Sequence, residues 1–375
     1  MERIPERPEA RLFYVDNIRL FVVICVVMHH LAVTYSGDGR FYYVEPSQMN
    51  GILQTIWFSF YLSFQQAYFM GLLFLLAGFF AAGSYDRKGF SRFIGDRFRR
   101  LIMPTLFYMV IIAPFIRYVE LGESFSAFDL RNSMFSYGVM WFAVALFVFS
   151  GVYGCVRKLW RKNAPAVQGL NRSLSFRQLS ILILAMAIGA FLVRIVQPLG
   201  TAVVGMQLAH FASYAGLFIA GIYSYRFGYF SQISYRAGKR WLINGVVLSF
   251  LAWFVFALAV TATGTQSANK GGINVHSAIY ALWESFTAVA MCVGLTGVFK
   301  EKFNKRNRLV KAMSDSSFAV YMFHPPIIVG AALMFQNVIL PPAVKWLILC
   351  PISLVLCFAF AHFILRKTPL LKKVL

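Results

Sequence analysis

The stretch Asp16-Asn17-Ile18-Arg19-Leu20-Phe21-Val22-Val23-Ile24-Cys25-Val26-Val27-Met28-His29-His30 places one arginine and two histidines inside an apolar run long enough to cross a bilayer. About 20 apolar residues in helical geometry span a hydrocarbon core of about 30 Å. Ionisable groups are expensive at that depth, and by default they mark a working site. The run therefore says that the chain crosses a membrane and does polar chemistry where it crosses.

The rest of the chain repeats the first half of that reading. Of 375 residues, 59% are hydrophobic and 13% charged, which excludes an ordinary soluble protein. Apolar blocks recur near 14–36, 54–83, 101–121, 134–156, 178–196, 203–224, 241–263, 276–299, 316–338 and 343–365. Backbone groups in lipid must bond internally, which leaves helices or closed barrels, and the unbroken runs exclude a barrel. The expected fold class is all-α: a polytopic membrane protein of about ten transmembrane helices, one domain over 1–375 with short tails. The second block exceeds one crossing, so it is expected to tilt, bend or extend beyond the bilayer. No cleavable leader pattern precedes the first span, which is expected to be retained.

The net charge of +22 raises nucleic acid as a partner, and the placement of the charges excludes it. Six Lys or Arg lie between spans two and three, six between four and five, six between eight and nine, and four between six and seven, with three before span one and four after span ten. All fall on one side. The alternate loops hold only Arg40, Arg117, Arg131, Arg194, Lys270 and Lys345, which leaves Arg19 as the one cation within a span. The positive-inside rule then puts both termini in the cytoplasm and the protein in the plasma (inner) membrane as a multi-pass protein contacting membrane lipids. The five cysteines have no metal-type spacing and read as packing thiols.

A helix turns 100° per residue, so Arg19 and His30 differ by about 20° in azimuth and lie about 16 Å apart along the axis. They share one face, with Asp16 near the same stripe, whereas His29 points roughly 80° away from Arg19. The stripe runs from the cytoplasmic interface into the outer half of the membrane. Its plainer alternative is a snorkelling Arg19 and helix-bridging histidines. Arg97-Phe98-Arg99-Arg100 forms a second cluster, in which Arg97 and Arg100, three apart, make a phosphate clamp or an ordinary topology signal.

Of the fourteen carboxylates only Glu284 lies well within a span. It is expected about 12 Å along its helix from the outer end and His30 about 9 Å along its own, so the two are expected at one depth. A carboxylate there would fix the imidazole tautomer and stabilise the imidazolium. His324, in Tyr321-Met322-Phe323-His324-Pro325-Pro326, sits where prolines free backbone carbonyls. It either lines a cavity at a kink or bonds those carbonyls. Trp141 reads as an interfacial belt residue or as a wall of an acceptor site. His210, His276 and His362 read as packing or interface residues. No metal site is expected, because no ligand spacing supports one.

Together these segments resemble membrane acyltransferase family 3, most closely its glucan-biosynthesis protein C subgroup. The resemblance rests on Asp16-x-Ile18-Arg19 followed by His30, Tyr35-Ser36, Phe74-x-x-Ala77-Gly78-Phe79-Phe80, Arg97-x-x-Arg100 before Pro104, Trp141-Phe142, Glu284, His324-Pro325 and Pro369-Leu370-Leu371-Lys372. It implies a ten-helix enzyme that moves an acyl group from cytoplasmic acyl-CoA, acetyl-CoA or succinyl-CoA, to a hydroxyl of an extracytoplasmic polysaccharide or glucan. It makes Arg19, Arg97 and Arg100 coenzyme A phosphate or channel contacts and His30 the catalytic base; Glu284, expected at the same depth as His30, is added as its catalytic partner. Paired glutamates that many relatives carry after a Trp-Ser-Leu stretch are absent from Trp141-Phe142-Ala143-Val144-Ala145-Leu146, so no acceptor role transfers from them. A proton-coupled transporter or flippase of a glycan or lipid-linked solute is the rival reading, since intramembrane Arg, His and Glu also serve proton relays. A homo-oligomer stays open.

Overall fold

The computed structural model describes residues 12–37, 39, 41–45, 51–160, 174–265 and 267–368. In chain order the helices are α1 (Phe13–Ser36), α2 (Ile52–Arg97), α3 (Met103–Phe107), α4 (Ala113–Leu121), α5 (Ala127–Met134), α6 (Trp141–Leu159), α7 (Phe176–Val196), α8 (Phe211–Phe227), α9 (Tyr229–Gln232), α10 (Tyr235–Ala262), α11 (Val275–Lys302), α12 (Arg308–Met334) and α13 (Pro342–Phe363). Among the described residues there is no β-strand, only an isolated bridge between Val203 and Met206. The protein is all-α and multi-pass. Arg40 and the Pro369–Lys372 motif lie outside the described residues.

Eight helical stretches among the described residues are long and apolar enough to cross a membrane. The expected second and third spans are joined in one stretch, Ile52–Ser124, and the expected sixth is the 17-residue α8, at the lower limit for a crossing. The long second block is both extended and bent: α2 breaks at Gly89, whose φ of 69° and ψ of 175° leave the helical region. Two π-helical turns, Phe98–Ile102 and Tyr108–Ile112, follow from the prolines beyond them. Pro104 and Pro114 lack an N–H and crowd the carbonyl four residues back, at Arg100 and Val110, so the backbone widens there.

Burial sorts the helices into centre and rim. In α1 and α11, 72% of the most apolar window is buried, against 22% in α10 and 28% in α7. The rim helices turn Leu184, Ile188, Leu251 and Val255 outward, as lipid requires. α1 sits against α2, α11, α12 and α13, and α2 also packs on α8. The α2–α8 approach is close because both sides use glycine. A Cβ on Gly78 would stand 2.0 Å from the Phe218 carbonyl oxygen, and one on Gly221 would stand 2.0 Å from that of Leu75.

Ion pairs tie each end of the bundle. At the end where the described chain starts and finishes, Asn17 Nδ2 donates to the carbonyl of Phe303 at 2.5 Å, and Arg306 reaches Asp16 at 3.6 Å and Asp315 at 3.1 Å. We call this the terminal face. At the far face Lys345 donates to Glu45 at 2.6 Å, and the Glu45 N–H donates to the Thr34 carbonyl at 2.9 Å. Lys345, expected in a loop, is buried in the first turn of α13.

Candidate active site

The proline pair in α12 sets the site. Pro325 has no N–H to give to the carbonyl four residues back, so the Tyr321 oxygen is free, and His324 Nδ1 lies 2.7 Å from it. A carbonyl only accepts, so Nδ1 of His324 carries the proton and Nε2 is bare. That Nε2 lies 2.9 Å from His30 Nδ1. His30 therefore donates from Nδ1, and its own Nε2 keeps a free lone pair. His324 is fully buried, whereas His30 lines a cavity of about 730 Å³. Of the two readings of His324, the structure supports the bond to the freed carbonyl and not the cavity lining; its other ring nitrogen orients His30, which was not expected.

The cavity is walled by Tyr42, Phe69, Trp141, Tyr214, Tyr280 and Tyr321, with Ser63, Gln66 and Gln207 among them. Its remaining walls include His29 of α1, Arg117 and Glu120 of α4, and loops of the far face at 136–139 and 199–207. Trp141 stacks on Tyr214 at 5.7 Å, so it is a wall residue here. Phe41, from the α1–α2 loop, stacks on His30, with ring centroids 4.6 Å apart and planes 19° apart. His29 turns to α2, 4.9 Å from the Phe69 ring, which is the divergence of the two histidines expected from the helical wheel.

Glu284 does not meet His30. It accepts a hydrogen bond from Arg194 Nη2, and its Oε1 lies 2.8 Å from His210 Nδ1. Depth along each helix was readable, but the side of the bundle was not: α7 and α8 bring Arg194 and His210 to Glu284, while α12 brings His324 to His30. Arg194 is likewise not a loop residue. It is fully buried near the end of α7, so Arg19 is not the only cation within a span.

The three arginines expected to act together are near one another at the terminal face. The charges of Arg19 and Arg100 both act on Arg97. Arg19 lies over the Phe80 ring at 4.7 Å and 3.4 Å from Asp16, and Arg97 lies over Phe93 at 5.2 Å. Arg100 sits in the first π turn. Such guanidinium groups fit phosphate. Sequence reasoning missed His210 and Arg194 as members of a constellation: Arg194 was counted among the loop cations, and no local pattern singles out His210.

A bundle of this kind, with an oriented imidazole in a cavity at one face and clustered guanidinium groups at the other, is that of a multi-pass membrane enzyme for group transfer. The chain belongs to the acyltransferase 3 family, whose model, an acyltransferase domain, matches residues 12–362. It is 22% identical to Glucans biosynthesis protein C of Escherichia coli strain SMS-3-5, over 97% of this chain and 94% of that protein. The same figures hold for the proteins of that name from strain K12 and from O1:K1 / APEC. No solved structure matches the chain.

Proposed function

We propose that this acyltransferase moves an acetyl or succinyl group from cytoplasmic acyl-CoA to a hydroxyl of an extracytoplasmic glycan, with both termini in the cytoplasm and the bundle in the inner membrane. The lone pair of His30 Nε2, fixed by His324 and facing an aromatic cavity, is the observation that carries the reading. Relatives named for glucan biosynthesis support a polysaccharide acceptor. Lys and Arg gathered toward the terminal face support its cytoplasmic placement.

Arg19, Arg97 and Arg100 bind the phosphates of the donor. Asp16 holds Arg19, and the flexible arm of coenzyme A carries the thioester along α1 toward His30. The sugar hydroxyl gives its proton to His30 Nε2 as its oxygen bonds to the thioester carbonyl carbon. The C–S bond breaks, and the thiolate takes the proton back from the imidazolium, leaving an ester and free coenzyme A. Aromatic rings such as Trp141 and Tyr214 offer flat faces to the C–H faces of a sugar.

Mass spectrometry of surface glycans from cells carrying the wild type, His30→Ala or no gene tests the reading. The acyl mass increment is expected with the wild type only, and purified His30→Ala is expected to transfer about 10²- to 10⁴-fold more slowly while folding normally. Identical glycans in all three strains, with altered uptake of a solute, would establish the transporter instead.

A further inference from the structure

The transfer step uses His30, yet the same cavity holds a second oriented imidazole. Arg194 is fully buried, Glu284 is 2% exposed and His210 6%. Arg194 Nη2 donates to Glu284 Oε2, and its Nε donates to the Ala209 carbonyl at 3.3 Å. Glu284 Oε1 stands 2.8 Å from His210 Nδ1. A carboxylate paired with arginine only accepts, so His210 donates from Nδ1, and in the neutral imidazole Nε2 is then the acceptor. His210 lines the cavity, and among the described residues no group bonds that nitrogen.

Stability does not account for this arrangement. A buried ion pair stabilises a fold little more than apolar residues of the same volume do. What this pair produces is one imidazole locked in one tautomer, next to the aromatic wall: His210 stacks on Tyr214 at 6.1 Å, and Tyr214 stacks on Trp141. Two bare imidazole nitrogens in one cavity suit a substrate with more than one hydroxyl. A simple alcohol uses only one of them.

We propose that His210 is an acceptor-positioning residue whose Nε2 accepts a hydrogen bond from a hydroxyl other than the one being acylated. The sugar ring is then held in one pose, and His30 meets one particular hydroxyl. Glu284 and Arg194 act through His210 by fixing its tautomer. The inference rests on the glycan reading above and assigns the polyol contact within it.

The test uses the full chain in lipid nanodiscs with acetyl-CoA and succinyl-CoA as donors. Methyl β-glucopyranoside, with several hydroxyls, is compared with cyclohexanol, which has one. His210→Phe keeps an aromatic ring without the two nitrogens and leaves Arg194 and Glu284 in place. It is expected to raise KM for the glucoside about five- to tenfold, the loss of one hydrogen bond, and to spread the ester over several positions. kcat, KM for acyl-CoA and the rate on cyclohexanol should stay within about twofold. Glu284→Gln is the second variant: its amide oxygen faces Arg194 and its NH₂ faces His210, which turns Nε2 into a donor; the hydroxyl then accepts from it, so KM for the glucoside should rise less than in His210→Phe. A merely structural role would lower the yield of folded enzyme, and with it apparent kcat on both acceptors, leaving KM alone. Unchanged glucoside KM and an unchanged ester position in His210→Phe would overturn the proposal while leaving the glycan reading intact. A wild type that acylates neither acceptor with either donor would remove the glycan reading and this inference with it.

Discussion

At the scale of single residues, the site is a chain of three hydrogen-bonding groups whose order is dictated by a missing proton. Pro325 frees the Tyr321 carbonyl, the carbonyl fixes His324, and His324 fixes His30. His324→Ala should therefore slow acyl transfer on the order of tenfold or more, and adding it to His30→Ala should slow transfer no further, since the two act as one unit. Kinetics of both single variants and the double variant check this; fully additive losses would separate the two histidines. The members of this chain were legible in the sequence, because His30 shares a helix face with Arg19 and His324 precedes two prolines. Their pairing was not. Glu284 shows the same limit: one helix gives the depth of a residue, but its neighbours around the bundle depend on which helices fold beside it. Arg194 was misread for a related reason, since its charge is met by Glu284, 90 residues away in sequence.

At the scale of elements, the spans were legible because lipid demands long apolar runs, and such runs show directly in composition. What composition misses is backbone detail: the bend of α2 at Gly89, the π turns ahead of Pro104 and Pro114, and the shortness of α8. It also misses how closely two helices approach. The reciprocal contact of Gly78 with Phe218 and of Gly221 with Leu75 explains why small residues stand at those two positions. Gly221→Ala should destabilise the protein by about 1–3 kcal/mol, the usual range for overpacking, seen as a lower midpoint of thermal unfolding in detergent. Gly151→Ala is the contrast: nothing lies within 4 Å of an added Cβ there, so the midpoint should hold or rise slightly. Equal shifts in the two variants would mean that the α2–α8 approach is looser than described.

For the whole molecule, the basic cluster lies at one face and the cavity opens among the loops of the other. The sidedness of Lys and Arg was legible because insertion itself reads that asymmetry. Orientation is directly measurable by labelling with a membrane-impermeant maleimide in a Cys155→Ala background. Ser136, a cavity residue of the far face, and Ser91, in the stretch of α2 beyond Gly89, are both exposed. Ser136→Cys should label in intact cells, and Ser91→Cys only after permeabilisation. The reverse pattern would turn the molecule over in the membrane and put the donor outside.

Phe41 has a consequence for economy of the donor. A thioester faces two rival nucleophiles, the sugar and the far more abundant water. The phenyl ring stacked at 4.6 Å on His30 covers one face of the imidazole, while His324 holds its Nδ1 edge at 2.9 Å. A base covered on one face and held at its Nδ1 edge presents Nε2 to incoming hydroxyls, which narrows the orientations of attack. Small, freely tumbling water gains least from such a slot, and a ring held flat by the aromatic wall gains most. In the proposed reaction, discrimination against hydrolysis thus comes from geometry around one imidazole.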